Sequence, residues 1–262
     1  MIEHNFKKKF GQNFLQDNNI IRKIVESANI EENSLIIEIG PGAGALTKEL
    51  IKKGNVIAYE IDTELKEHLT NEFKETPIKF IFDDFLERNI IEDIKDYKYD
   101  KLYVVANLPY YITTPIITKL IDEKIDLEKI VVMVQKEVGD RFNAKPNTKN
   151  YNSLSVFIQY NFNVKKLLEV SKNVFIPKPN VDSIVIEMSK KDKLFVDNID
   201  LFYKLVRDSF VQKRKTIKNN LKNYDLEKIE EILKRNGYDL TSRAEQLPIE
   251  IFVEISNNLS RT

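Results

Sequence analysis

Leu35-Ile36-Ile37-Glu38-Ile39-Gly40-Pro41-Gly42-Ala43-Gly44 is the stretch that decides the fold of this 262-residue chain. Its apolar first half predicts a buried strand, and its glycine-rich second half predicts a tight turn that opens a helix. Glycines at such a turn let the backbone approach a ligand closely, and a helix amino terminus favours negative charge. Gly40, Gly42 and Ala45 also match the spacing G-x-G-x-x-G/A. The stretch therefore predicts a βα unit with a ligand at the end of its strand.

Apolar runs and amphipathic stretches alternate through the first two thirds of the chain. The predicted strands are residues 35–39, 56–61, 78–82, 102–106 and 130–134, with 167–170 and 184–188 completing the sheet. Helices are predicted from an N-cap at Asp17 to residue 28, over 43–53, and after Thr114-Pro115 as N-cap and first helical residue. Short βα alternation predicts an α/β fold with a mostly parallel, doubly wound sheet. From residue 190 the pattern is helical only, so domains are predicted over 1–189 and 190–262.

Composition excludes several classes of protein. The 42% hydrophobic and 31% charged residues describe a globular chain, and no apolar run is long enough for a membrane span. Residues 1–10 lack the apolar core of a signal peptide. The absence of cysteine excludes disulfides and thiolate chemistry, and His4 and His68 stand far apart without a ligand spacing. We expect a cytoplasmic monomer with no metal and no membrane association.

Positive charge is local rather than general. The chain has 41 basic and 41 acidic residues, so its formal net charge is zero. Between residues 201 and 225, however, there are seven basic residues and only two acidic ones, and Lys7-Lys8-Lys9 forms a second basic cluster. Local basic patches on a neutral protein are compatible with a confined nucleic-acid footprint.

Polar residues stand where the predicted parallel strands end. Glu60 ends the second strand and is the residue expected to bind ribose hydroxyls. Asp84 ends the third strand and could accept a hydrogen bond from an adenine amino group; Asp83 competes for that role, and an N-cap is the alternative for either. With the glycine loop and Asn107, this row could hold a nucleoside that carries an amino-acid tail, which describes S-adenosylmethionine. A nicotinamide dehydrogenase would share the loop and the acid, but the chain lacks an evident proton-transfer residue for it.

Asn107-Leu108-Pro109-Tyr110 follows the predicted strand 102–106. The Asn107 side-chain oxygen and the Leu108 carbonyl are two acceptors close together, and Pro109 stiffens the backbone without adding a donor. Tyr110 offers a face on which a base can stack. Two acceptors and a ring suit the exocyclic amino group of adenine, whereas a plain strand-ending turn is the simpler interpretation.

With these motifs in place, nearly the whole chain resembles the ribosomal RNA adenine dimethyltransferases. The matching segments are Phe10-Gly11-Gln12-Asn13-Phe14-Leu15, Glu38 to Gly42, Glu60, Asp84, Asn107 to Tyr110, Gln135-Lys136-Glu137-Val138, Phe175-Ile176-Pro177-Lys178-Pro179-Asn180-Val181-Asp182-Ser183 and Arg243-Ala244-Glu245-Gln246-Leu247. The resemblance implies a Rossmann-like, S-adenosylmethionine-dependent methyltransferase domain over 1–189, whose N-terminal segment covers the cofactor. It implies a small helical domain over 190–262 that binds RNA or the ribosomal subunit.

The resemblance also assigns roles to single residues. It places Asn13, Leu15, Gly40, Glu60, Asp84 and Asn107 on S-adenosylmethionine. It places Asn107, Leu108, Pro109 and Tyr110 around the target adenine. Phe175 looks like a second aromatic that packs against the flipped base, with an ordinary core phenylalanine as the alternative. Tyr111 departs from the asparagine often seen at its position.

Two branches of the family differ in substrate. One dimethylates two adjacent adenines in the 3′-terminal hairpin loop of 16S rRNA in the small ribosomal subunit, and the other modifies 23S rRNA and confers macrolide resistance. Leu108, Thr114-Pro115 and the basic stretch 210–216 resemble the first branch. A DNA adenine methyltransferase would usually have a second proline at position 108. A non-enzymatic small-subunit assembly factor is a further alternative.

We hypothesise that a C-terminal helix grips the RNA backbone. On a helical wheel Phe210, Ile217 and Leu221 share one face, and Lys215, Lys218 and Lys222 project from the opposite one. Together with Lys213 and Arg214, these cations are the candidate RNA-binding residues. A solvated charged face is the usual alternative for such a run.

Overall fold

The structure is a computed structural model that describes residues 13–123 and 125–261. Within these residues the strands are β1 (Phe14–Leu15), β2 (Ser34–Ile39), β3 (Asn55–Tyr59), β4 (Ile78–Ile81), β5 (Lys101–Asn107), β6 (Lys129–Gln135), β7 (Phe162–Val170), β8 (Phe175–Ile176) and β9 (Ser183–Lys190). The α-helices are α1 (Asn18–Ala28), α2 (Thr47–Leu50), α3 (Lys66–Glu72), α4 (Ile90–Ile94), α5 (Thr113–Asp122), α6 (Lys136–Phe142), α7 (Ser153–Asn161), α8 (Ile199–Ser209), α9 (Ile217–Asn220), α10 (Leu226–Arg235) and α11 (Ile249–Ser260).

Seven strands form one sheet in the order β4-β3-β2-β5-β6-β9-β7. The five strands from β4 to β6 are parallel, and β9 runs antiparallel to β6. The strand order reverses at β2, which lies between β3 and β5. In open α/β sheets the ligand crevice forms at such a reversal, outside the carboxyl ends of the strands. The predicted α/β fold with a mostly parallel sheet is confirmed.

The central strands are mostly apolar because both of their faces are covered. All six residues of β2 are buried, and so are the five inner residues of both β5 and β6. A strand buried on both faces reads as a continuous apolar run, which is why the sequence located these three strands closely. On one face, Ile21, Ile24 and Val25 of α1 join the core cluster. Asp17 caps α1 as predicted, its side chain accepting hydrogen bonds from the N–H groups of Asn19 and Ile20.

Two helix predictions were wrong at their amino ends. The helix expected over 43–53 is reduced to Thr47–Leu50, because Gly44 has a φ of 80° and a residue in the left-handed region cannot continue a right-handed helix. Helix α5 begins at Thr113 after Ile112, and no side chain caps it. The Thr113 hydroxyl instead donates a hydrogen bond to the Pro109 carbonyl, so Thr114 is a helical residue rather than the N-cap.

The chain divides into two compact units. The first contains the described residues up to Gly139 together with Lys165–Lys190, and the second contains Asp140–Val164 together with the described residues from Lys191 onward. The sequence placed the boundary at 189 and assigned 140–164 to the first domain. The second unit has its own apolar core, built on buried residues such as Phe202, Ile232 and Phe252. In the part of the chain that the structure describes, no helix is both long and apolar enough to cross a membrane.

Candidate active site

Four of the predicted site residues lie at or just beyond the ends of four neighbouring strands and line one cavity. Gly40 follows β2, Glu60 follows β3, Asp84 lies just beyond β4, and Asn107 ends β5. The carboxyl ends of parallel strands share one edge of the sheet, so these residues lie together. They line a cavity with an empty volume of about 1120 Å³, part of which is open to solvent.

The glycine loop is shaped by backbone conformations that other residues adopt at a cost. Gly40 and Gly42 have φ angles of 72° and 57°, in the left-handed region that glycine enters freely. A Cβ atom at Gly42 would lie 2.4 Å from Cε1 of Phe14, which also lines the cavity. The Gly40 N–H donates to the Tyr59 carbonyl at 2.8 Å, which ties the loop to the end of β3. The loop thus brings bare backbone to the cavity wall.

Glu60 is buried, with 3% of its surface exposed, and is held by two backbone donors. The Gly42 N–H donates to Oε2 at 3.0 Å and the Asp62 N–H donates to Oε1 at 2.8 Å. Burial raises the pKa of Glu60, while the N–H donors act in the opposite direction. Each carboxylate oxygen has a second lone pair, so Glu60 can still accept hydrogen bonds from ribose hydroxyls.

Glu38 is a second buried acid in the same cavity. Burial raises the pKa of Glu38 to about 8, and the nearby Glu60 acts in the same direction. The Thr47 hydroxyl donates to Oε2 of Glu38 at 2.7 Å and partly offsets this. Near neutral pH Glu38 is therefore largely protonated, and the two acids together carry less negative charge than their number suggests.

The two aspartates after β4 differ in their partners. Oδ1 of Asp84 accepts the Leu86 N–H at 2.9 Å and caps a short 3₁₀ helix. Oδ2 of Asp83 faces the Arg88 guanidinium at 3.4 Å. Both residues line the cavity. Asp84 is thus an N-cap, as the alternative proposed, and it also lines the cavity. Because Asp83 is engaged in an ion pair, Asp84 is the better candidate for accepting a hydrogen bond from an adenine amino group.

Asn107 and Leu108 each present one acceptor atom that has no donor among the described residues. Nδ2 of Asn107 donates to the Asn13 carbonyl at 3.1 Å, which fixes the orientation of the amide. The Leu108 N–H donates to the Met133 carbonyl at 3.1 Å, and the Pro109 carbonyl accepts from both Ile112 and Thr113. Among the described residues, no donor is bonded to Oδ1 of Asn107 or to the Leu108 carbonyl. Within the described part of the chain, the two atoms that the sequence proposed as acceptors therefore have no protein donor.

Tyr110 lines the cavity and is anchored at its far end. Its hydroxyl lies 2.5 Å from the hydroxyl of Ser183, the first residue of β9, which is fully buried. Burial raises the pKa of Tyr110, so the phenol keeps its hydrogen in the neutral range. The anchor restricts rotation of the ring. Ser183 stands within a quoted sequence motif, but no local pattern assigned it this contact, since its partner lies 73 residues away.

Phe175 is not among the described residues that line the cavity. It pairs with Leu15 where β8 runs antiparallel to β1, and only 2% of its surface is exposed. Its ring belongs to the apolar cluster that includes Val170 and Val185. This burial supports the alternative of an ordinary core phenylalanine.

Several cavity residues had no assignment from the sequence. Phe85 and Ile61 line the cavity directly after Asp84 and Glu60, and the Phe85 ring packs edge-on against Tyr59 with centroids 5.1 Å apart. An apolar residue following a strand-end acid was the available signal. Phe10, Gly11, Gln12 and the cluster Lys7-Lys8-Lys9, which the sequence singled out, lie outside the described residues.

The predicted helix over 210–222 is absent. Helix α8 ends at Ser209, irregular turns follow, and α9 spans only Ile217–Asn220. Ile217 and Leu221 are nevertheless fully buried in the core of the second unit. The five candidate cations are exposed: Lys213, Arg214, Lys215, Lys218 and Lys222. The apolar residues are therefore buried and the basic ones exposed, as predicted, but the cations lie on turns and on the short helix α9 rather than on one helix.

A sheet edge with a glycine loop, a buried acid held by backbone donors and a pair of neighbouring acceptors is typical of a Rossmann-like methyltransferase that acts on an amino group. A family model described as "Ribosomal RNA adenine dimethylase" matches residues 3–261. The chain belongs to this family.

Known proteins are similar to this chain along nearly its full length. The chain is 44% identical over 261 residues to "Ribosomal RNA small subunit methyltransferase A" of Aster yellows witches'-broom phytoplasma, covering 97% of this chain and 96% of the relative. A dimethyladenosine transferase from Plasmodium falciparum superposes with a TM-score of 0.76 at 25% identity, covering 92% of this chain and 95% of that one. The 23S rRNA methyltransferase ErmE superposes with a TM-score of 0.74 at 23% identity, covering 95% and 100%, and shows the same fold.

The cavity fits S-adenosylmethionine, the methyl donor of the family. Its lining runs from the glycine loop to the residues that follow β3, β4 and β5. Glu60 supplies acceptors for hydroxyls, Asp84 an acceptor for an amino group, and Gly40 and Gly42 a wall of bare backbone. Within the described residues, no group of three or more acidic or histidine side chains is placed to hold a metal ion.

Proposed function

We propose that this chain dimethylates N6 of two adjacent adenines in the 3′-terminal hairpin loop of 16S rRNA within the small ribosomal subunit. The observation that carries the reaction is the acceptor pair, Oδ1 of Asn107 and the Leu108 carbonyl, which has no donor among the described residues and lies beside the anchored ring of Tyr110. The small-subunit substrate is supported by the name of the phytoplasma relative. We further propose that the enzyme is a monomer in the cytoplasm.

The catalytic difficulty lies with the nucleophile. S-Adenosylmethionine supplies an already activated methyl electrophile, whereas the N6 lone pair of adenine is conjugated into the ring. Oδ1 of Asn107 and the Leu108 carbonyl accept both amino hydrogens, which favours a pyramidal nitrogen whose lone pair is available. Positioning of this kind can supply up to roughly 7–11 kcal/mol of barrier reduction. No side-chain general base is required for it.

The tetrapeptide also receives the base. A stacked adenine cannot reach a cavity of this kind, so the target is splayed from a loop or flipped. Tyr110 then stacks on it, which contributes roughly 1–3 kcal/mol per base in nucleic-acid sites. After the first transfer the methylated N6 releases one proton to solvent. The amine then retains one hydrogen, and one of the two acceptors is sufficient to orient it for the second transfer.

Methyl transfer to purified subunits tests this function. Unmodified small subunits, large subunits and protein-free 23S rRNA are each incubated with the enzyme and a labelled methyl donor, and the modified nucleotides are mapped. We expect two adjacent dimethylated adenines in 16S rRNA only. Methylation confined to 23S rRNA would establish the macrolide-resistance alternative, and binding to small subunits without any transfer would establish the assembly-factor alternative.

We propose that the basic block, residues 210–222, binds the phosphate backbone of the RNA. It contains five exposed basic residues and no acidic one. The test replaces Lys215, Lys218 and Lys222 by alanine and measures binding of the methyl donor and of the subunit separately. We expect subunit affinity to fall and to lose part of its salt dependence, since phosphate contacts release counterions. Unchanged subunit affinity at moderate salt would contradict the proposal.

A further inference from the structure

A second segment of the second unit lies against the basic block. It is the loop of residues 143–151, which precedes α7 and which the sequence left without a role. The Lys213 ammonium donates to the Lys149 carbonyl at 2.8 Å. The rings of Tyr151 and Phe210 meet edge to face with centroids 6.1 Å apart. Two segments that are far apart in sequence are therefore in direct contact.

The 143–151 loop is held in a defined conformation by its own hydrogen bonds. The Tyr151 hydroxyl donates to the Leu247 carbonyl at 3.0 Å, and the Asn147 N–H donates to the Glu245 carbonyl at 2.8 Å. The Thr148 hydroxyl donates to the Lys145 carbonyl at 2.7 Å. Lys145 and Lys149 are themselves exposed. The loop thus presents two further cations from a fixed backbone.

Neither segment contains the opposite charge. The 143–151 loop has two lysines and no acidic residue, and the basic block has five cations and no acidic residue. None of these seven cations has an ion-pair partner among the described residues, whereas cations elsewhere in the unit do, for example Lys234 with Glu230 at 2.9 Å. The contact between Lys213 and Lys149 uses a neutral carbonyl, so it leaves both ammonium charges uncompensated.

We propose that the 143–151 loop and the basic block form one phosphate-binding surface for ribosomal RNA, to which the loop contributes Lys145 and Lys149. This inference rests on the proposed function for the identity of the RNA. Like charges repel, and here they are brought together by neutral contacts. A polyanion with closely spaced phosphates is the partner that compensates such a group of cations. Lysine suits this role as a flexible point charge, which positions a backbone without reading its sequence.

The experiment compares the full-length Lys145→Ala/Lys149→Ala protein with the wild type and with Lys234→Ala, a matched control from the same unit. Binding is measured to purified unmodified small subunits and to an unrelated RNA hairpin, between about 50 and 200 mM salt. We expect the loop variant to bind both RNAs roughly 10-fold more weakly at the lower salt, with the slope of log affinity against log salt reduced by roughly 1 to 2. Lys234→Ala should match the wild type, and all three proteins should bind S-adenosylmethionine equally.

The outcomes separate this inference from the proposed function. If the loop variant keeps wild-type affinity and slope for both RNAs, the shared surface is refuted, even where the wild type methylates small subunits. If the wild type transfers no methyl group to small subunits, the proposed function fails. In that event a loop variant that still weakens hairpin binding supports the surface. Thermal unfolding of each variant shows whether a loss of RNA binding comes from a loss of structure. The Lys145→Glu/Lys149→Glu variant repeats the test with reversed charge, and we expect it to bind both RNAs more weakly than the alanine variant.

Discussion

The hydrogen bond between Tyr110 and Ser183 gives a prediction with a magnitude. The two hydroxyl oxygens lie 2.5 Å apart, and Ser183 is fully buried. A neutral hydrogen bond contributes about 0.5–1.5 kcal/mol net, but a buried hydroxyl left without its partner costs about 1–3 kcal/mol. Ser183→Ala and Tyr110→Phe should therefore each lower the free energy of unfolding by about 1–3 kcal/mol. The double variant should lose less than the sum, because it leaves neither hydroxyl unpaired.

The same bond should affect catalysis through the ring. Without its anchor, the ring of Tyr110 samples more orientations and stacks on the target base for less of the time. We expect Ser183→Ala to raise KM for the RNA and to lower kcat, while its affinity for S-adenosylmethionine stays unchanged. Tyr110→Phe keeps the ring but loses the same anchor, so its kinetic defect should resemble that of Ser183→Ala.

The assay is a double-mutant cycle by urea unfolding, combined with steady-state methyl transfer. Ser256→Ala is the matched control, since Ser256 is fully buried and its hydroxyl has no hydrogen-bond partner within the described residues. It should change stability by less than Ser183→Ala does. A coupling energy near zero between positions 110 and 183, or a kinetic defect confined to donor affinity, would refute the reasoning.

Three further predictions concern the cavity. Asn107→Ala should lower kcat by on the order of 100-fold or more, the usual cost of removing one aligned polar contact to the reacting group. Its circular dichroism spectrum should stay native. Near-normal turnover would contradict the acceptor mechanism. Gly42→Ala should weaken S-adenosylmethionine binding in calorimetry, whereas Gly44→Ala, equally strained but directed at Phe73 rather than the cavity, should lose stability only. Glu38→Gln should flatten the pH dependence of the free energy of unfolding. Burial raises the pKa of Glu38 to about 8, so the protonated side chain contributes its full stabilisation below the ordinary pKa near 4.5. This stabilisation is lost as pH rises through 8, at about 1.4 kcal/mol per pH unit. Equal slopes for Glu38→Gln and wild type between these pH values would contradict that assignment.

The fold alone does not choose among the enzymes that share it. The 23S rRNA methyltransferase ErmE superposes almost as well as the Plasmodium dimethyladenosine transferase, with TM-scores of 0.74 and 0.76. The reaction rests instead on a few atoms at one sheet edge, and the choice of RNA on surface charge. Experiments on substrate choice therefore belong on the basic block and the 143–151 loop, and experiments on chemistry belong on the tetrapeptide.

The sequence by itself determined the central strands and the row of residues at their ends. Strands β2, β5 and β6 are buried on both faces, so their apolar runs need no partner to be recognised. Once these strands are parallel, chain order alone places Gly40, Glu60, Asp84 and Asn107 at one edge. The sequence also predicted the N-cap at Asp17, because its donors and acceptor lie within three residues of each other.

Only the tertiary structure decided which atoms meet across long separations. Within the described residues, it left Oδ1 of Asn107 and the Leu108 carbonyl without a donor, bonded Tyr110 to Ser183, and packed Phe175 in the core. It also replaced the predicted helix over 210–222 by turns and brought Lys213 onto the loop at Lys149. A periodic pattern records which side of an element is apolar. It does not record register, loop conformation or the hydrogen bonds that fix one polar atom and leave its neighbour available for substrate.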